Sequence, residues 1–216
     1  MPIRIVIADD HRILRAGLKN LLGTDANLDV IGEAVGQAGV RACLCYEVSD
    51  RDGPERAQLG MAENVRFART LAASKPTGDG RLAAAFGMHA SLTLSEATLA
   101  QCVDAAGAGT GFHLHVAESA DEQADALQRY GRRVVERLHA AGVLGPRTLA
   151  AHCVHVDGHE IDLLADSRSW VTHQPRSNMN NAVGVANIES LGRLGIPVCL
   201  GTDGFTSEMW EEWKAA

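Results

Sequence analysis

Short runs of aliphatic and β-branched residues recur along this chain, separated by longer stretches with helical spacing. The strand-like runs fall at 40–46, 82–90, 110–117, 147–153, 169–173 and 197–202, and the helical stretches at 54–73, 95–107 and 120–141. Alternation of this kind predicts parallel βα units, since a parallel crossover needs a dozen or more residues to return to the same edge. Within 120–141, Leu127, Tyr130, Val134, Val135 and Leu138 share one side, so the stretch reads as a single scaffold helix with its charges in water. The 75–80 segment is turn-rich and offers no chemistry, and no internal repeat is visible beyond the βα alternation.

The opening has its own pattern. Residues 3–8 form a short strand ending in Asp9-Asp10, 11–22 have helical spacing with Gly23 as a stop, and 28–34 form a second strand. Two opening strands and six later units make eight, the number of a closed (β/α) barrel. About five residues separate the strand ending near Ala34 from the one starting near Gly39, too few for a crossover helix, so a helix is missing there.

Composition narrows the function classes. A net charge of −7 and a pI near 5.7 exclude an electrostatic nucleic-acid binder. No apolar run reaches membrane-spanning length, and Met1-Pro2-Ile3-Arg4 begins a strand instead of a signal peptide. Cys43, Cys45, Cys102, Cys153 and Cys199 form no CxxC pair and read as reduced, mostly buried thiols of a cytoplasmic protein.

The candidate chemistry sits at strand ends. In Gly111–Ser119, His113 and His115 alternate with aliphatics, so both imidazoles share one face of a strand, and Glu118 follows where a loop can fold it back toward His115. Three other strand ends carry His89, His152 and Asp203. Imidazoles and carboxylates at the C-terminal ends of parallel strands can bind a metal and manage protons on water. The polar, Asn-rich segment 172–184, with Asn178 as a candidate substrate contact, reads as a turn-rich connection or a substrate-contacting lip.

Two resemblances follow from these residues. IRIVIADDHRILRAGLKNLL and LDVIGEA resemble the start of response-regulator receiver domains, over about 2–36, in which Asp9 and Asp10 would hold Mg²⁺ beside a phospho-acceptor aspartate. The strand 40–46 offers no such aspartate at its end, and the plain alternative is that Asp9 and Asp10 cap the helix. From about 39 to 216, FHLHVAE, AAHCVH, HQPRSNMNNAVG and LGTDG resemble the metal-dependent amidohydrolase superfamily, in its cytosine-deaminase and chlorohydrolase branch. LCYEVSDRDG, GMHASLTLS and YGRRVVERL are closer still to the aminohydrolase group associated with selenium metabolism. The expected fold is therefore α/β: an incomplete (β/α)8 TIM-barrel-like unit at 39–216 supplying strands three to eight, after a receiver-like (flavodoxin-like) fragment at 1–36.

The second resemblance implies a reaction. His115, His152 and Asp203 would ligate one Zn²⁺ or Fe²⁺, with Asp203 also taking a proton from the hydrolytic water. Glu118 would pass a proton to the substrate ring or leaving nitrogen, His152 would polarise the substrate, and His89 would reach it. The implied chemistry is attack of activated water on a non-peptide C–N carbon of an amine-bearing heterocycle or similar small molecule. The family's first strand ends in a His-x-His pair, and residues 1–38 contain none. The expectations are a weakly held ion, impaired turnover, and self-association through barrel edges, in a chain that ends before a closing helix. The alternatives are a phosphoacceptor signalling fragment or an inactive fusion scaffold.

Overall fold

The computed structural model describes residues 41–74, 82–206 and 208–216. The receiver-like opening, with Asp9, Asp10 and His11, lies outside the described residues, as do the strands expected at 3–8 and 28–34.

Each strand expected in the described part is present, one of them divided. The strands are β1 Ala42–Leu44, β2 Leu82–Ala84, β3 Phe86–Ala90, β4 Phe112–Val116, β5 Leu149–His152, β6 Trp170–His173 and β7 Val198–Leu200. Expected as one run, 82–90 breaks at Ala85 into β2, paired with β1, and β3, the first strand of a five-stranded sheet ordered β3-β4-β5-β6-β7. All pairings are parallel. The Ala85 N–H donates to the Leu44 carbonyl at 3.1 Å, and Val48 bridges Met88, so the two sheets run on from one another.

Helices cover one side of this parallel series: α1 Pro54–Ser74, α2 Glu96–Ala106, α3 Ala120–Tyr130, α4 Val134–Ala140, α5 Gly158–Asp166, α6 Pro175–Asn180, α7 Ile188–Arg193 and α8 Met209–Ala215. The period-2 pattern of β4 explains which face they take. Phe112, Leu114 and Val116 point into the core with Phe86, Met88, Val134, Leu138 and Leu164, while His113 and His115 stand on the opposite face. Each fully buried aliphatic such as Leu114 or Leu138 contributes about 1.5–3 kcal/mol over an exposed one. The strands pass so closely that a Cβ on Gly111 would lie 2.0 Å from the Arg147 carbonyl oxygen.

Several expectations need correction. The helix expected over 120–141 is two helices, because Gly131 takes a left-handed φ of 65° and its N–H closes on the Leu127 carbonyl. Arg133 then opens α4, its N–H donating to the Glu136 carboxylate at 2.9 Å. Leu127 is exposed, since α3 turns Ala126 into the core and Glu122 and Gln123 inward to bond with strand-end loops. The thiols are not mostly buried: Cys102 and Cys153 are, whereas Cys43 and Cys45, on and just after β1, are exposed. Scaffold helix α1 also carries a buried polar stitch. Asn64 accepts from the N–H groups of Tyr46 and Gly87 and donates to the Tyr46 carbonyl, fixing α1 across the β1–β3 junction.

Candidate active site

The C-terminal ends of β3, β4, β5 and β7 bring His89, His115, His152 and Asp203 together, with Glu118 on the turn after β4. The His89 and His115 rings have centroids 5.0 Å apart, and those of His115 and His152 are stacked at 5.3 Å. His152 Nε2 lies 3.8 Å from Glu118 Oε2 and 3.8 Å from Asp203 Oδ2. Glu118 thus folds back as expected, but its carboxylate faces His152.

The hydrogen bonds assign the same tautomer to all three imidazoles. His115 Nδ1 is 2.7 Å from the His89 carbonyl oxygen and His152 Nδ1 is 2.8 Å from Asn178 Oδ1; both partners only accept, so both Nδ1 atoms carry the proton. His89 Nδ1 meets the Thr93 hydroxyl at 2.8 Å, whose own proton is donated to the Ala90 carbonyl, so His89 Nδ1 also donates. In the neutral ring this leaves the lone pair on Nε2, the arrangement of a metal-ligating histidine oriented by a second partner. Burial, then the neighbouring His115 and Arg51, lowers the His89 pKa to about 3, so this ring is neutral at physiological pH.

Asp203 shows the opposite balance. Burial alone would raise its pKa, but the Ser177 hydroxyl, which donates to Oδ2, and the His152 and His115 rings outweigh it and hold the carboxyl below its ordinary range. Behind Glu118, burial raises Glu122 to about 7 although its oxygens accept from the N–H groups of Ser91 and Glu118, both at 3.1 Å.

Backbone strain is concentrated at these strand ends. His152 (φ 71°), Cys153 (49°), Ala117 (49°) and Asp203 (53°) are left-handed without being glycine, at a cost of about 1 kcal/mol or more each. Local bonds hold them there: His152 N–H to Gln174 Oε1, Cys153 N–H to the Val116 carbonyl, and His155 N–H to the Ala117 carbonyl.

The segment 172–184, expected as a turn-rich connection or a substrate-contacting lip, contains the helix α6. Pro175 starts α6, where its missing N–H costs nothing, and one short helix then presents three polar groups to three strand ends. Ser177 bonds Asp203, Asn178 bonds His152, and Asn181, at the helix C-cap, donates from Nδ2 to Glu118 Oε1 at 3.1 Å. Asn178, expected to contact substrate, is buried behind His152, and its Nδ2 has no hydrogen-bond partner. Sequence reasoning did not single out Ser177, Asn181, Gln174 or Glu122; the available signal was the Ser-Asn-x-x-Asn spacing after a helix-starting proline.

The donor set suits a divalent ion: imidazole nitrogens with free lone pairs beside two carboxylates. Among the described residues no three His, Cys, Asp or Glu side chains are gathered tightly enough to cage one. The 3.8 Å between His152 Nε2 and Asp203 Oδ2 exceeds the roughly 3.4 Å between two donors sharing a tetrahedral ion at about 2.1 Å. A groove of about 840 Å³ between α1 and α2, lined by residues including Met61, Val65 and Gln101, lies on the helical layer and brings none of these groups together.

A parallel α/β series with imidazoles and carboxylates at its strand ends defines a hydrolase-type barrel site. The chain matches the Amidohydrolase family over residues 11–216 and belongs to it. It is 36% identical over 214 residues to a 5-methylthioadenosine/S-adenosylhomocysteine deaminase of Pelotomaculum thermopropionicum, covering 94% of this chain and 47% of the relative. It is 34% identical over 209 residues to a 5'-deoxyadenosine deaminase of Methanothermobacter thermautotrophicus, covering 94% and 48%. Among solved structures it resembles an adenosine deaminase from Xanthomonas campestris with bound zinc, with a TM-score of 0.76, 27% identity, and coverage of 85% of this chain and 42% of the other. The chain spans about half the length of the curated relatives it matches. The family match begins at residue 11, inside the segment that resembles a receiver, and none of these comparisons supports a receiver fragment.

Proposed function

We propose that the chain carries a metal-dependent hydrolytic deaminase site acting on an amino-substituted heterocycle of the adenine-nucleoside type. The observation that carries this reading is the shared tautomer of His89, His115 and His152, whose Nε2 lone pairs stand at strand ends beside Glu118 and Asp203. The deaminase relatives support the C–N bond and the nucleoside class, and the resemblance to the selenium-associated aminohydrolases leaves the exact substrate open.

In this reading His115, His152 and Asp203 hold one Zn²⁺ or Fe²⁺. Bound there, the cation supplies Lewis acidity. Three donors on three strands, with water in the fourth position, match the ligand number of a catalytic zinc site. Asp203, kept ionised by Ser177 and the imidazoles, accepts the proton that water gives up. Glu118 takes the other proton of the water and passes it to the ring nitrogen, and the proton held by Asp203 goes to the departing amine. His152 is oriented through Nδ1 by Asn178 so that Nε2 serves as a ligand, and neutral His89 accepts a hydrogen bond from the substrate through Nε2.

Elemental analysis after zinc loading and desalting tests the reading, paired with ammonia release from 5'-deoxyadenosine, 5-methylthioadenosine and S-adenosylhomocysteine. The expected result is up to one equivalent of zinc, lost in His115→Ala, and ammonia release that follows the zinc. A folded protein that retains no metal and releases no ammonia would overturn it.

A further inference from the structure

We infer that Asn181 is a positioning residue for Glu118, holding Oε1 so that Oε2 faces His152. The inference rests on reading Glu118 as the proton-transferring carboxylate and extends it to a residue with no assigned role. Asn181 Nδ2 donates to Glu118 Oε1 at 3.1 Å, and Glu118 Oε2 is the oxygen 3.8 Å from His152 Nε2. The backbone N–H of Glu118 is separately tied to Glu122 Oε2 at 3.1 Å. Backbone and one oxygen are thus anchored, while the other oxygen is turned toward the reactive side.

The end of α6 is built to keep Asn181 in place. Its N–H closes on the Ser177 carbonyl at 2.9 Å, the Ala182 N–H on Met179 at 3.2 Å and the Val183 N–H on Asn178 at 3.2 Å. This is a Schellman closure, with Ala182 in the left-handed position usually given to glycine, at φ 54°. The Val183 carbonyl is in turn bonded by His155 Nε2 at 2.7 Å. The backbone at the helix end is thus fixed, and the exposed Asn181 side chain is held by Nδ2, which donates to Glu118 Oε1 and, at 3.5 Å, to Ser177 Oγ. The same helix turn places Ser177 on Asp203, so one rigid element sets the relative position of the two proton-handling carboxylates. An amide is well suited here, because it directs one carboxylate oxygen without bringing a cation that would compete for the proton.

Two measurements test the inference. In ¹H–¹⁵N spectra of the metal-free protein, the Asn181 side-chain amide signal, assigned by its loss in Asn181→Ala, should shift in Glu118→Ala. In the zinc-loaded protein, Asn181→Ala should lower kcat about tenfold with KM within about twofold, and should cost nothing further in a Glu118→Gln background. An amide signal indifferent to Glu118→Ala would overturn the inference, as would independent, multiplying losses in the double variant. Absence of turnover in the zinc-loaded parent protein would count against the deaminase reading alone, and the amide signal still decides the contact.

Discussion

Two buried polar regions lie about one helix apart and are finished differently. At the α3–α4–α5 corner, the fully buried Glu160 accepts from Gln123 Nε2, Arg133 Nε, and the N–H groups of Val135 and Asp157. Arg133 also donates to the His155 carbonyl, and Gln123 accepts from the Val134 N–H. Both carboxylate oxygens are in use. At the strand ends, by contrast, His89, His115, His152 and Glu118 each have one atom tied and one turned to the cleft: Nδ1 against Nε2 in the histidines, Oε1 against Oε2 in Glu118. A saturated network holds structure together, whereas a half-used one, kept rigid by its used half, is prepared to act on something else.

Exchanging the roles of these regions gives the sharpest test. Glu118→Gln should lower kcat a hundredfold or more while leaving the melting temperature and zinc content near those of the parent; an equal loss of stability would make Glu118 another Glu160. Glu160→Ala should do the reverse, costing about 3–5 kcal/mol in denaturant unfolding because Arg133 and two backbone N–H groups lose their acceptor. Zinc retained per folded molecule should be unchanged.

Glu122 sits between the two regions, and its pH dependence has a definite sign. Burial raises its pKa to about 7 from an ordinary 4.5, so the folded chain keeps a proton that the unfolded chain releases. Its contribution is full below about pH 4.5 and is lost as pH rises through about 7, a change on the order of 3 kcal/mol. Glu122→Gln should flatten that part of the stability–pH curve; an unchanged slope would place its origin elsewhere. The smallest effect belongs to the helix break: Gly131→Ala should cost about 1 kcal/mol at φ 65° without altering kcat.

The strands and their histidines were legible because period-2 burial is a local signal: Phe112, Leu114 and Val116 must face the helices, which puts His113 and His115 on the other side. What could not be read locally was made by long-range bonds. Asn181 meets Glu118 and Ser177 meets Asp203 only once distant strands lie side by side, so the Asn-rich segment looked like an ordinary connection. The break at Gly131 was missed because apolar spacing continues across it, and Leu127 accordingly seemed inward. Asn178 was singled out as a candidate substrate contact, while its bond to His152 Nδ1, across 26 residues of sequence, was not legible.

The sheet order has a consequence for synthesis. From β4 to β7 each strand pairs with the strand immediately before it in the chain, so each can dock as it leaves the ribosome. His89, His115 and His152 are in place early, but α6 and Asp203 come after them. Until the β7 turn has emerged, the nascent chain presents imidazoles without Asp203 or its Ser177 partner, and an ion captured at that stage is held only by its first ligands. On the proposed ligand set, all three donors are together only once the β7 turn has emerged.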